Sequence, residues 1–171
     1  RSMFRRRQPG AVQPEQQHSA PSPIQQESST GPLGGLSRRY ESRGSSSAIG
    51  YDSTGGTSYG KYQIASNTGT MDNFLKFVKE RSPEGCANLS AAGPSNTGRA
   101  GGRFAEVWKE LVEQGKMGDL EHQFIRSTHY DVSRKGLKGG LGEMVDGSKA
   151  LQEVLWSTSV QHGGGGGASI F

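Results

Sequence analysis

The chain of 171 residues contains one cysteine, Cys86. A single thiol can form no internal disulfide and has no second thiol with which to hold a metal, so packing alone must stabilise the fold. The sequence also lacks a P-loop, an HExxH motif and a CxxC motif, which removes the usual signals for nucleotide and metal sites. No apolar run approaches the ~18 residues of a membrane-spanning helix. We therefore expect no cofactor, no metal, no membrane partner and no signal peptide.

The composition is poor in hydrophobic residues, which make up 30% of the chain, and rich in glycine, with 27 residues. This balance predicts a loop-rich protein. The formal net charge of +4 suits a polyanion such as nucleic acid, an anionic membrane or an acidic cell-wall polymer. Half of that charge lies in the first 35 residues, where Arg1 and Arg5–Arg7 outnumber Glu15 and Glu27. Residues 36–171 carry only the other half of the charge, which is too little to indicate a nucleic-acid-binding surface. We therefore expect no nucleic-acid partner.

The length predicts one domain with a tail. Residues 1–35 hold five of the seven prolines, with many Gln and Ser and no periodic apolar residues, which is typical of a flexible linker. The stretch GGGGGASIF, residues 163–171, is interpreted as a Gly-rich flexible tail. Residues 36–162 are left as the folded unit.

The folded unit is predicted to be α+β and mostly helical, with one small β-hairpin lobe. Gly pairs and alternating Ser, Thr and Tyr predict the hairpin within AIGYDSTGGTSYGKYQIAS, residues 48–66. A short helix is expected over 36–41. Apolar residues at three- and four-residue spacing predict four amphipathic helices, and they are Met71, Phe74, Leu75 and Val78; Phe104, Val107, Trp108, Leu111 and Val112; Leu120, Phe124 and Ile125; Leu151, Val154, Leu155 and Trp156.

Two acids are the sharpest candidates for chemistry. Glu41 ends the short predicted helix, and Asp52 follows eleven residues later in the hairpin. Cleavage of a glycosidic bond needs one protonated carboxyl group as a proton donor, and a second carboxylate that stabilises charge or activates water. The plainer alternative is that both acids are solvated surface charges.

Other polar and aromatic residues are interpreted more simply. His122 and His129 lie seven residues apart on a predicted helix, but without a third ligand they do not predict a metal site. Trp108 and Cys86 are predicted to lie in the core.

The hairpin motifs resemble a known signature. Glu41-Ser42, Gly50-x-Asp52 and GGxSYGxYQI, residues 55–64, are similar to the corresponding motifs of goose-type lysozymes and soluble lytic transglycosylases. Together with Trp156 and SVQHG, residues 159–163, the pattern looks closer to peptidoglycan hydrolase domains of phages and type VI secretion effectors. The resemblance implies a lysozyme-like fold, with Glu41 as the general acid and Asp52 as the second carboxylate. The substrate-binding residues that it implies are Tyr51, Ser58, Tyr59, Tyr62, Gln63, Trp156 and His162.

The function that the resemblance implies is that of a muramidase cleaving the β-1,4 bond between N-acetylmuramic acid and N-acetylglucosamine in peptidoglycan. The chain would be the C-terminal module of an antibacterial secreted effector or a phage lysin. Its expected partners are peptidoglycan glycan strands and an immunity protein or a secretion spike or adaptor. Its expected location is outside the producing cell, or the periplasm of a target bacterium.

Several alternatives stay open. Goose-type enzymes have an Asp shortly after the last hairpin strand, whereas this chain has Ala65-Ser66-Asn67, so a lytic transglycosylase acting on the same bond is an alternative to a hydrolase. The A-Y-N-x-G motif of transglycosylases is matched only poorly by THYD, residues 128–131. A wall-binding module without catalysis, and a basic domain that binds nucleic acid through Arg5–Arg7, are the alternatives of other classes.

Overall fold

The computed structural model describes residues 44–171. The predicted linker, the predicted helix over 36–41 and the candidate acid Glu41 lie outside the described residues. The described part begins with a three-stranded antiparallel sheet, in the order β1-β2-β3. Its strands are β1 (Ile49–Asp52), β2 (Gly56–Tyr59) and β3 (Ile64–Ala65).

Helices make up most of the remaining chain. They are α1 (Thr70–Arg81), α2 (Pro83–Ala91), α3 (Arg103–Glu113), α4 (Gly118–Ile125), α5 (Asp131–Gly136), α6 (Leu141–Asp146) and α7 (Lys149–Ile170), with a π-helical segment (Arg126–Tyr130) between α4 and α5. The prediction of a mostly helical α+β domain with a small β lobe is thus confirmed. None of the helices within residues 44–171 has both the length and the apolar content that a bilayer crossing needs.

The core forms where the sheet packs against α1 and α3. Trp108 of α3 is fully buried, and its ring lies 5.3 Å from that of Tyr59 and 5.5 Å from that of Phe74. Its indole N–H donates to the Ser46 carbonyl at 2.7 Å, which ties α3 to the segment before β1. Cys86 is buried, as predicted. Large aromatic side chains therefore hold the β lobe against the helices.

The glycine run at the end of the chain is helical, whereas the sequence predicts a flexible tail. Helix α7 continues to Ile170 through a kink at Gly163. The Ser133 hydroxyl donates to the Gly164 carbonyl at 2.6 Å, and a Cβ added at Gly167 would lie 2.4 Å from the Ser133 Oγ. The glycines have no side chains, so α5 and α7 approach closely here, and this packing offsets the low helix propensity of glycine.

Alanine at Gly164 is expected to lower the free energy of unfolding by about 1–3 kcal/mol, because its Cβ would lie 2.7 Å from Val132 and 2.9 Å from the Thr128 carbonyl oxygen. Gly165 is the matched control, since a Cβ there meets nothing within 4 Å. Gly165→Ala should raise the free energy of unfolding by up to about 1 kcal/mol through helix propensity. Urea unfolding of both variants measures the difference. Equal stabilisation by the two alanines would contradict close packing of α7.

Candidate functional site

The hairpin has one face toward the core and one polar face. In the β1–β2 register, Gly50 lies opposite Ser58 and Asp52 lies opposite Gly56, so these four residues share one side of the sheet. The opposite side carries Tyr59 and Ile64 into the core. We call the polar side, with Gly50, Asp52, Ser58 and the Gln63 side chain that lies against it, the hairpin face.

Gln63 is held at both ends of its side-chain amide. The Ser58 hydroxyl donates to Gln63 Oε1 at 2.7 Å, and Gln63 Nε2 donates to the Gly60 carbonyl at 2.8 Å. A Cβ at position 50 would lie 2.4 Å from Oε1, so the amide can occupy this place only because Gly50 has no side chain. Gln63 has φ +50°, a left-handed conformation that no other non-glycine residue adopts in residues 44–171. Such backbone strain is concentrated at functional sites.

Asp52 organises the turn at the tip of the hairpin. Its Oδ1 accepts hydrogen bonds from the Thr54 N–H at 2.9 Å and the Gly55 N–H at 2.7 Å. This is the Asx-turn arrangement, in which a short acidic side chain replaces a backbone acceptor. Asp52 is exposed, and its role as a second carboxylate stays a prediction.

Two of the predicted substrate-binding residues lie in the core, and their assignment is corrected on that ground. Tyr59 is completely buried, its hydroxyl donates to the Ser95 carbonyl, and burial raises its pKa to about 12. Trp156 is 1% exposed and packs against Tyr130. A polymer outside the domain cannot touch either side chain.

The remaining predicted residues lie nearer the surface. Tyr51 is 49% exposed on β1, whereas Ser58 is buried beneath the Gln63 amide. Tyr62 is half-buried in the β2–β3 turn. His162 is exposed on α7, next to the kink at Gly163. The structure therefore brings Ser58 and Gln63 together on the hairpin face.

A cluster of rings lies beside the turn. The His122 ring stacks on Trp156 at 4.6 Å, and its Nδ1 is hydrogen-bonded to the Tyr62 hydroxyl at 2.9 Å. The cluster joins the β2–β3 turn to α4 and α7. His122 is thus part of an aromatic cluster, and in residues 44–171 no group of three or more His, Cys, Asp or Glu is placed to hold a metal ion.

Glu121 on α4 is a functional candidate that the sequence analysis missed. Its side chain is fully buried beneath the β2–β3 turn, where Oε1 accepts the Lys61 backbone N–H at 2.9 Å. Burial raises the pKa of this carboxyl group to about 7, although the Ser46 hydroxyl, the Lys61 charge and nearby backbone N–H groups oppose the shift. The sequence does place Glu121 in the apolar stripe between Met117 and Phe124, which could have indicated that it is buried. A glutamate is rarely buried unless it has a polar partner.

Comparison with known proteins shows that the chain is similar to spike proteins of a secretion system. Residues 33–171 match the family described as type VI secretion system spike protein VgrG3-like, C-terminal. The chain is 32% identical over 138 residues to the type VI secretion system spike protein VgrG3 of Vibrio cholerae serotype O1 (strain ATCC 39315 / El Tor Inaba N16961). The aligned region covers 78% of this chain and 13% of the Vibrio protein.

These matches correct the function expected from the sequence. That expectation was a peptidoglycan muramidase from a secreted effector or a phage lysin, with a transglycosylase or a wall-binding module as alternatives. It is wrong, because the matching family and the Vibrio relative are both described as parts of a secretion spike, and neither description names such an activity. The type VI association is confirmed. The chain belongs to the VgrG3-like C-terminal family of type VI secretion spike proteins.

Proposed function

We propose that this chain is an effector domain at the end of a spike protein, delivered with the spike into a target bacterium, and that it is a glycosidase. The observation that carries the glycosidase proposal is the Gln63 amide, fixed at both ends on an exposed polar face. A few fixed polar groups are what a site needs to orient a ligand rich in hydroxyl groups. Its amide nitrogen has a second hydrogen, which no residue of 44–171 takes up, so the amide can donate to a sugar oxygen.

The proposed chemistry is general acid catalysis. Glu41, eight residues before β1, donates the proton to the leaving glycosidic oxygen. Asp52 on the hairpin face is the second carboxylate and activates the water molecule that replaces the leaving oxygen at the anomeric carbon, so each cleavage consumes one water and releases one reducing end. The turn supports this role because two backbone N–H groups hold the Asp52 side chain in one orientation. The lysozyme-like form of the fold belongs to the same proposal.

The proposed partners follow from delivery by a spike. An effector domain that damages a target cell requires an immunity protein in the cell that produces it. The polymer is a glycan of the target cell. Peptidoglycan strands are the partner expected from the sequence, so purified sacculi belong in the panel of polymers to be tested.

In the test, the 171-residue chain is incubated with sacculi, chitin, chitosan or cellulose, and the release of reducing ends is measured. We expect cleavage of at least one polymer, and a loss of at least ~100-fold in Glu41→Gln, the scale of general acid catalysis. Gln63→Ala should lose about tenfold in kcat/KM, as for one lost hydrogen bond. Glu113→Gln, at an exposed acid on α3, is the control and should keep full activity. A folded protein that cleaves none of the four polymers, or a fully active Glu41→Gln, contradicts the proposal.

A further inference from the structure

We propose that Glu121 is the positioning residue of the hairpin face, which fixes the β2–β3 turn and, through it, the Gln63 amide. The effect of Glu121 on substrate binding rests on the proposed function, whereas its effect on the turn does not. Glu121 lies sixty residues beyond Lys61 in the chain and is buried, so it touches no substrate. It acts through the turn.

One peptide group connects Glu121 with Gln63. The N–H of the Gly60–Lys61 peptide donates to Glu121 Oε1 at 2.9 Å. The C=O of the same peptide accepts the Gln63 Nε2 at 2.8 Å and the Gln63 backbone N–H at 3.2 Å. A peptide group is planar and rigid, so its orientation sets both ends at once. Hydrogen bonds in series also polarise one another. The carboxyl group therefore acts directly on the group that holds the Gln63 amide.

The contact between Glu121 and the peptide requires glycine at position 60. It has φ +76°, and a Cβ there would lie 1.7 Å from Glu121 Oε1. The missing side chain is what lets the carboxyl group reach the peptide. The Gly60 N–H donates to the Ala48 carbonyl at 2.8 Å, which anchors the turn to the segment before β1.

The protonation state of Glu121 controls the strength of this hold. An ionised carboxylate accepts an N–H bond more strongly than a neutral acid does, and burial raises the pKa to about 7. The groups that face it are the Lys61 side chain and the Tyr62 N–H from the turn, the Ser46 hydroxyl from the segment before β1, and uncharged Trp108 from α3. His122 is its neighbour on α4. The turn is therefore expected to be held most tightly above about pH 7.

Nuclear magnetic resonance of the ¹⁵N-labelled 171-residue chain between pH 5 and pH 9 tests the inference. The Lys61 backbone amide and the Gln63 side-chain amide should titrate together in the wild-type protein, with a shared midpoint near pH 7. Glu113→Gln should keep this titration, and Glu121→Gln should abolish it at both amides. The His122 ring remains in every variant, so its own imidazole signals identify any shift that it causes. Either amide failing to titrate in the wild type, or both titrating unchanged in Glu121→Gln, would overturn the inference.

The two proposals fail separately. Polymer cleavage without a coupled titration of the two amides would exclude the positioning role and leave the glycosidase proposal intact. A coupled titration in a chain that cleaves no polymer would establish the effect of Glu121 on the turn and exclude the glycosidase. When both hold, the kcat/KM of the wild type should rise with pH around pH 7, and that of Glu121→Gln should lack this rise.

Discussion

Stability is expected to fall by about 3 kcal/mol more in the wild-type protein than in Glu121→Gln as the pH rises from 4.5 to 8. The carboxyl group has a pKa of about 7 when folded, against 4.5 for an unburied glutamate. Between these values the unfolded chain loses the proton while the folded protein keeps it. Ionisation therefore favours the unfolded state, and the loss is complete once the pH exceeds the folded pKa. A glutamine side chain does not ionise in this range, so Glu121→Gln lacks this pH-dependent loss of stability.

Urea unfolding at pH 4.5, 5.5, 6.5 and 8 measures this difference. The comparison uses the change of free energy with pH, so a constant offset from the packing of the glutamine cancels. Glu113→Gln changes an exposed acid on α3 and should follow the wild-type curve. Parallel curves for the wild type and Glu121→Gln would show that Glu121 is ionised in the folded protein throughout the range.

Gly60→Ala is expected to lower the free energy of unfolding by at least about 3 kcal/mol, or to prevent folding. A left-handed conformation costs a non-glycine residue about 1–2 kcal/mol. The added Cβ would also meet the buried Glu121 carboxyl at 1.7 Å and Trp108 at 3.1 Å. Both neighbours are fully buried, so a displaced side chain would have to repack within the core.

Gly69→Ala separates the two costs. Gly69 has the same φ of +76°, but nothing lies within 4 Å of its added Cβ. Gly69→Ala should therefore lose only the stability that the left-handed backbone conformation costs an alanine. Thermal and urea unfolding of the two variants compare them directly. Equal losses would mean that the Glu121 carboxyl does not press against the turn.

Local patterns predicted the helices that carry a clear apolar stripe, such as α1 and α3, together with the hairpin. Helix α2 escaped prediction because its stripe is short, although Pro83 stands at the start of the helix, where proline is favoured. The glycine run of α7 was misinterpreted because propensity opposes a helix there by about 1 kcal/mol per glycine. Contacts with Ser133 and Val132, which no local pattern displays, favour the helix instead.

The site shows the same division between local and distant information. Ser58 and Gln63 are five residues apart, and their motif indicated a common place. Ser58 and Tyr59, however, are neighbours on β2 and must face opposite sides of the sheet, so they could not both bind one substrate. The pairing of Glu121 with the Lys61 N–H joins residues sixty positions apart, and only the fold brings them together.

The π-helical segment between α4 and α5 fixes how long that part of the chain must be. A π turn holds one residue more than an α turn, so everything after it is rotated by about 100° relative to an unbroken α-helix. Tyr130, the last residue of the segment, packs against Trp156, and the rotation directs Ser133 of α5 toward Gly164. Deleting one residue from Arg126–Tyr130 would leave a continuous helix, yet it would direct other side chains of α5 at α7. The packing of α5 against α7 therefore constrains the number of residues in this segment as much as their identity.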